Sequence, residues 1–135
     1  LASSILLDLK ADCKIKTEIL KETREYYINK ANIITRSYLV NDQMIICILN
    51  NEIYDQKDLA EVADELIQFE DVEASFVIGK IEQNKVSISA RSIGNINVQQ
   101  IMNSLGGGGS QTSAAAQFQD KTIREAKEKL LKIIR

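Results

Sequence analysis

The chain has 135 residues, of which 44% are hydrophobic and 27% are charged, values that fit one globular domain and exclude a disordered or fibrous chain. Its net charge is −2, so no overall positive charge attracts a nucleic-acid backbone. The chain has no histidine, which excludes a histidine general base and histidine metal ligands within it.

The first third of the chain is predicted to be helical. A short helix extends to about Leu9, with Ser3 or Ser4 as its N-cap, and a charged helix extends from about Ile15 to Asn29. The second helix has the character of a partly exposed connector. The chain begins at Leu1 rather than Met, so we expect it to be a fragment of a longer protein.

The middle of the chain changes to alternating patterns that predict two strand pairs, each joined by a tight turn. The turns are Asn41-Asp42 and Gln83-Asn84. The predicted strands are Ile33 to Val40, Gln43 to Leu49, Val72 to Ile81 and Lys85 to Ser92.

Three amphipathic helices are predicted after or between these strands. They cover Lys57 to Phe69, Asn97 to Leu105 with Asn97 as N-cap, and Lys121 to Ile134. Either Asp120 or a Thr122…Glu125 capping box begins the last helix. The predicted fold class is therefore α/β, with a mixed or mostly antiparallel central sheet of about four to five strands and helices packed on it.

The remaining titratable groups predict little chemistry. Cys13 and Cys47 form neither a CxxC pair nor a zinc spacing, and Cys47 lies in an apolar run that predicts a buried thiol in a reducing, cytosolic setting. The acidic residues near the third predicted helix, Asp55, Asp58, Glu61, Asp64 and Glu65, have spacings typical of an exposed helix face, so no metal site is predicted.

Four consecutive glycines, Gly106 to Gly109, precede the polar run Ser110 to Ser113. Backbone without Cβ atoms can approach a ligand closely, and consecutive free N–H groups can form an anion-binding nest. Ser113 could cap a short helix through Phe118 and add the positive end of a helix dipole. The same glycines are also compatible with a flexible linker or a plain structural turn.

The strand from Val86 to Ser92 places Ser87, Ser89 and Arg91 on one face. Arginine binds phosphate bidentately, and no partner carboxylate is predicted on this face. The row is therefore either a phosphate-binding surface or a solvated outer face.

The stretch Ser87 to Gln99, together with Leu105 to Gly109 and Ala114-Ala115, resembles the DHH-associated (DHHA1-type) C-terminal domain of DHH-family phosphodiesterases. It is most similar to the GdpP-type cyclic-di-AMP phosphodiesterases, which are anchored in the membranes of Gram-positive bacteria. The resemblance implies a helical connector from an absent catalytic DHH domain over residues 1–30 and a substrate-binding domain over residues 31–135.

What the resemblance implies about the site is specific. Arg91 would hold phosphate, Gly107, Gly108 and Gly109 would form a backbone cradle, and Ser89, Ser110, Thr112 and Ser113 would lie beside the nucleotide. Catalytic residues and two manganese ions would belong to the DHH domain of the same parent chain, so this fragment alone would be an inactive part of a hydrolase. The partner would be a cyclic dinucleotide, a homodimer is left open, and the fragment would lie on the cytosolic side without touching the membrane.

The chain departs from the family pattern at one position. The family motif Gly-Gly-Gly-His would place histidine at position 110, where this chain has Ser110. Two other functions therefore stay open: a module that grips single-stranded nucleic acid, as in exonuclease relatives, and an interaction domain that has lost ligand binding. The scarcity of aromatic residues, at 5%, disfavours the nucleic-acid module.

Overall fold

The computed structural model describes residues 33 and 35–134 of the chain. The two helices predicted before residue 30, the connector assigned to residues 1–30, and Cys13 lie outside the described residues. Residues 36–135 form one compact unit. No helix in the described part of the chain combines the length and the apolar composition that a membrane crossing needs.

Six strands form one mixed sheet in the order β1-β2-β3-β4-β6-β5. The strands β2 and β3 are parallel, and the other neighbours are antiparallel. The strands are β1 (Ser37–Leu39), β2 (Met44–Ile53), β3 (Ala74–Glu82), β4 (Lys85–Ser92), β5 (Gly108–Gly109) and β6 (Ser113–Gln119). The predicted fold class is confirmed, although the sheet has more strands than expected because β5 and β6 were not predicted.

Three helices lie in the described part of the chain: α1 (Gln56–Leu66), α2 (Val98–Ser104) and α3 (Ile123–Ile134). Helix α1 connects the parallel strands β2 and β3, as such a pair requires. The predicted caps are confirmed: the Asn97 side chain accepts from the Gln100 N–H at 3.2 Å, and Thr122 Oγ1 accepts from the Glu125 N–H at 3.1 Å.

Both predicted turns are confirmed. In the first, Asn41 Oδ1 accepts backbone N–H bonds from Gln43 and Met44 at 2.9 and 3.0 Å, which stabilises the β1–β2 connection. The first strand is shorter than predicted, because Ile33 and Thr35 are helical. The strand β4 has the predicted bounds.

The sheet is covered on both faces. On one face α2 and α3 pack on the main hydrophobic core, which includes Phe76, Ile88, Met102 and Leu130. On the other face α1 packs through Leu59, Ala63 and Leu66. The strands β2 and β3 are therefore buried on both sides over most of their lengths, which explains their apolar runs. Cys47 is fully buried, as predicted, and this burial raises the pKa of its thiol.

Candidate functional site

The polar row on β4 lies beneath α1. Ser87 and Ser89 are fully buried, at 0% and 1% exposure, so the solvated-face interpretation is wrong for both. Ser87 Oγ donates to Gln56 Oε1 and lies 3.3 Å from the Ala116 carbonyl oxygen. Helix α1, which connects β2 and β3, covers these hydroxyls. The sequence of β4 alone does not predict that a helix lies over this face.

The Ser89 hydroxyl is buried and has no hydrogen-bond partner among the residues that the structure describes. On the same face, the buried Ser75 Oγ donates to the Ala63 carbonyl at 2.7 Å. A buried polar group without a partner costs free energy, whereas a paired hydroxyl contributes to stability. Ser75 and Ser89 are therefore a matched pair on the α1 face of the sheet, one with a bonded hydroxyl and one with an unbonded hydroxyl.

Ser89→Ala is expected to raise the free energy of unfolding by about 1 kcal/mol, because it removes an unpaired buried hydroxyl. Ser75→Ala is expected to lower it by about 1 kcal/mol, because it removes a satisfied hydrogen bond. Urea unfolding of the two variants and the unaltered chain measures both effects. Equal destabilisation by the two changes would contradict the unpaired state of Ser89.

Arg91 forms an ion pair that the sequence analysis did not predict. Its Nε lies 2.8 Å from Asp64 Oδ1, and its Nη1 donates to the Ala90 carbonyl at 2.9 Å. The side chain of Arg91 is 20% exposed and that of Asp64 is 58% exposed. The expectation that this face offers no carboxylate is wrong, because α1 brings Asp64 over β4 from 27 residues earlier in the chain.

These two contacts leave part of the guanidinium available. Arginine carries five N–H donors, and the contacts to Asp64 and Ala90 use only Nε and one Nη1 hydrogen. No further partner of Arg91 occurs among the residues that the structure describes. The guanidinium is thus held in one orientation while its Nη2 end can accept an anion.

The glycine run leads into the edge strand of the sheet, and the first two of its N–H groups are already bonded. Gly106 N–H donates to the Asn103 carbonyl at 3.0 Å, and Gly107 N–H donates to the Met102 carbonyl at 2.7 Å. These two donors are used inside the loop, so Gly106 and Gly107 do not contribute free N–H groups to a nest.

The glycines allow the chain to lie directly against β6. A Cβ at Gly107 would lie 2.1 Å from the Ala115 carbonyl oxygen, and one at Gly109 would lie 2.4 Å from the Ser113 carbonyl oxygen. Gly109 also has a φ of 143°, which L side chains rarely adopt. The run therefore acts as a structured turn into β5, and not as a flexible linker.

The polar run after the glycines makes the turn between β5 and β6. Ser110 closes this turn, since its N–H and Oγ both contact the Ser113 carbonyl oxygen, at 2.7 and 3.2 Å. Ser110, Thr112 and Ser113 are exposed. The predicted short helix from Ser113 to Phe118 is wrong: pairing with β4 overrides the helix propensity of the alanines, and the alternating burial of Ala114, Ala116 and Phe118 has the period of a strand.

Arg91 and the β5–β6 turn lie at the same end of the sheet. Arg91 is directly opposite Ser113 in the β4–β6 ladder, and the Ser92 N–H donates to the Thr112 carbonyl at 2.9 Å. Directly opposite residues share a face, so the side chains of Arg91 and Ser113 lie on the α1 face of the sheet. Ser110 lies one strand further, roughly 10 Å from Arg91 by the spacing of strands. We call Arg91, Thr112 and Ser113 with the glycine run the strand-end site.

Sequence reasoning missed the contribution of α1 to this face. Gln56 and Asp64 are eight residues apart, so they lie on one side of the helix with Ala60 between them. The sequence shows that Gln56 and Asp64 share one side of the helix. It does not show which strand that side of the helix lies over. Within the described residues, no three Cys, Asp or Glu side chains come close enough together to hold a metal ion.

Comparison with protein families finds one matching model, that of the DHHA1 domain, over residues 41–135. The chain is 42% identical over 136 aligned residues to the cyclic-di-AMP phosphodiesterase GdpP of Geobacillus thermodenitrificans, covering 98% of the chain. It is 40% identical over 132 residues to GdpP of Bacillus subtilis, covering 96% of the chain. In each case the match covers 20% of the relative, so the chain spans about a fifth of the length of these proteins.

Among solved structures, the fold is similar to that of a pGpG-specific phosphodiesterase from Vibrio cholerae, with a TM-score of 0.61 and 14% sequence identity. The similarity covers 86% of this chain and 41% of that protein. At this identity the comparison supports the fold alone.

Proposed function

The chain belongs to the DHHA1 domain family, and from this premise we propose that it binds the phosphodiester of a cyclic dinucleotide, cyclic-di-AMP or a related molecule, for hydrolysis by another domain of its parent protein. The observation that supports the proposal most strongly is the position of Arg91. Arg91 is directly opposite Ser113, next to the β5–β6 turn, and its guanidinium keeps donors that no carboxylate of the described residues occupies.

The proposed role of Arg91 is electrostatic. A bidentate contact between guanidinium and phosphate is stronger than a neutral hydrogen bond and fixes orientation. The Asp64 and Ala90 contacts hold the guanidinium before ligand arrives, so less side-chain entropy is lost on binding. In this proposal the exposed hydroxyls of Thr112 and Ser113, in the adjoining turn and strand, supply further donors.

Ser110 occupies the position of the family histidine, and serine cannot make the charged or stacking contact that histidine would make. Its hydroxyl faces the Ser113 carbonyl, so its role in the proposed site is to close the turn that carries Thr112 and Ser113. The glycine run brings this turn against β6. In the proposed site, Arg91 is therefore the residue that contacts the phosphate with a full positive charge.

The proposal places the chemical step outside this chain. Manganese, which the family implies, supplies an activated water and charge neutralisation when bound in the catalytic domain. The described residues offer no ligand cluster for it, so this chain contributes binding and orientation of the substrate. Hydrolysis of cyclic-di-AMP by the 135-residue chain with added manganese would contradict this division of roles.

The binding proposal is tested by titrating the ¹⁵N-labelled chain with cyclic-di-AMP. We expect saturable chemical-shift changes at Arg91 Nε and at the Thr112 and Ser113 amides. A single-stranded oligonucleotide at two salt concentrations is the comparator, because backbone-driven nucleic-acid binding weakens steeply with salt. Tighter, salt-dependent binding of the oligonucleotide would favour the nucleic-acid module, and no binding of either would favour an interaction domain.

A further inference from the structure

Two glutamine side chains meet on the α1 face of the sheet, away from the strand-end site. Gln117 Nε2 lies 3.4 Å from Gln56 Oε1, the same oxygen that accepts from Ser87 Oγ. Gln117 is directly opposite Ser87 in the β4–β6 ladder and is exposed, whereas Gln56 is half-buried at the start of α1. We call Gln56 and Gln117 the amide pair.

The amide pair leaves a donor and an acceptor unused. Gln56 Nε2 and Gln117 Oε1 have no partner among the residues that the structure describes. A glutamine amide can pair bidentately with adenine, which presents its N6 amino donor beside the N7 acceptor, whereas guanine presents two acceptors, N7 and O6, at the same edge. A donor and an acceptor presented by two amides that contact each other through Gln117 Nε2 and Gln56 Oε1 therefore match adenine better than guanine.

The spacing between the amide pair and Arg91 suits a nucleotide. Ser113 lies opposite Arg91, and Gln117 lies four residues further along β6, which gives a Cα separation of about 13 Å. The long side chains of Arg91 and Gln117 shorten the distance between their polar ends. The residue between them on this face is Ala115, whose small side chain is only partly buried. Helix α1 packs over β3 and β4, so the face of β6 stays accessible.

We propose that the amide pair reads the base of the bound nucleotide and makes the site selective for adenine over guanine. The phosphate then lies on Arg91, the ribose crosses Ala115, and the base contacts Gln56 Nε2 and Gln117 Oε1. This inference rests on the proposed function, because it assigns a second contact to the same ligand. It adds a pair of specificity-determining residues to the strand-end site.

The test compares the affinities of cyclic-di-AMP and cyclic-di-GMP for the 135-residue chain and its Gln117→Leu and Gln56→Leu variants by calorimetry. The unaltered chain is expected to prefer cyclic-di-AMP, and each variant is expected to lose about five- to tenfold of that preference, since a bidentate base contact discriminates between bases by roughly 5- to 150-fold. Gln100→Leu is the matched control, because Gln100 is exposed on α2, across the sheet from α1. It should keep the full preference.

The side-chain amide signals of Gln117 give a second readout in the unaltered chain. They are expected to shift with cyclic-di-AMP and to shift less with cyclic-di-GMP. If cyclic-di-AMP binds and both Leu variants keep the preference of the unaltered chain, the base-reading role is overturned while the proposed function stands. If the unaltered folded chain binds neither dinucleotide, the proposed function fails and this inference fails with it.

Discussion

Arg91→Ala is expected to weaken cyclic-di-AMP binding by about 10- to 100-fold, since a hydrogen bond to a charged group contributes about 1.5–3 kcal/mol. Arg91 is the cation of the strand-end site, and alanine leaves that site without a positive charge. Calorimetric titration of the 135-residue chain measures the loss. Arg124→Ala is the matched control, because Arg124 is 87% exposed on α3 and pairs with Glu128.

The ion pair with Asp64 offers a competing explanation for Arg91, which is a structural role. An exposed ion pair contributes about 0–1 kcal/mol, so Asp64→Ala should change the unfolding free energy by no more than that. If Arg91→Ala and Asp64→Ala cause the same loss of stability and neither changes binding of the dinucleotide, Arg91 is structural and the strand-end site is not the phosphate site.

Gly107→Ala and Gly109→Ala are expected to lower the Tm by roughly 5–20 °C, the range that overpacking of about 1–3 kcal/mol gives in a domain of this size. In both variants the new Cβ meets backbone atoms of β6 at less than 3 Å, and a main chain cannot move aside as a flexible side chain can. Gly109 adds the strain of a positive φ. Thermal unfolding measured by circular dichroism gives the shift.

Gly108→Ala is the control within the same run. The nearest atom to its Cβ would be Asn103 Oδ1 at 3.7 Å, an ordinary contact, so the unfolding free energy should change by less than about 0.5 kcal/mol. Equal effects at all three glycines would contradict the structured edge strand and would restore the flexible-linker interpretation. A selective loss of dinucleotide binding at Gly108 without loss of stability would instead support a direct backbone contact.

Local patterns sufficed wherever the relevant interactions are close in sequence. Asn97 caps its helix through a residue three positions later, and the Thr122…Glu125 box does the same. The turn at Gln83-Asn84 joins the apolar run of β3 to the alternating pattern of β4, and β4 has the predicted bounds. Helix α1 has the predicted apolar stripe, although it ends three residues earlier than predicted.

Local patterns failed where a distant element decided the outcome. The alanines after Ser113 favour a helix by propensity, yet they form β6 because β4 offers them a complete ladder of backbone partners. The glycine run suggests a cradle of free amides, yet the N–H groups of Gly106 and Gly107 bond to α2, and the missing side chains of Gly107 and Gly109 let the chain lie against β6. The strand β4 is distant from β6 in sequence, whereas α2 and β6 flank the glycine run, and only the packing of these elements decides what the glycines contact.

By itself, the sequence determined the α/β class, the caps and turns, and the presence of Arg91 near a glycine run, because periodicity and capping are properties of neighbouring residues. Only the tertiary structure decided what surrounds that arginine. Helix α1 lies across β4 because it connects two parallel strands, and this placement brings Asp64 to Arg91 and Gln56 to Gln117. Asp64 and Arg91 are 27 positions apart in the chain, and Gln56 and Gln117 are 61 positions apart. Contacts over such separations depend on how the layers pack, which no local pattern encodes.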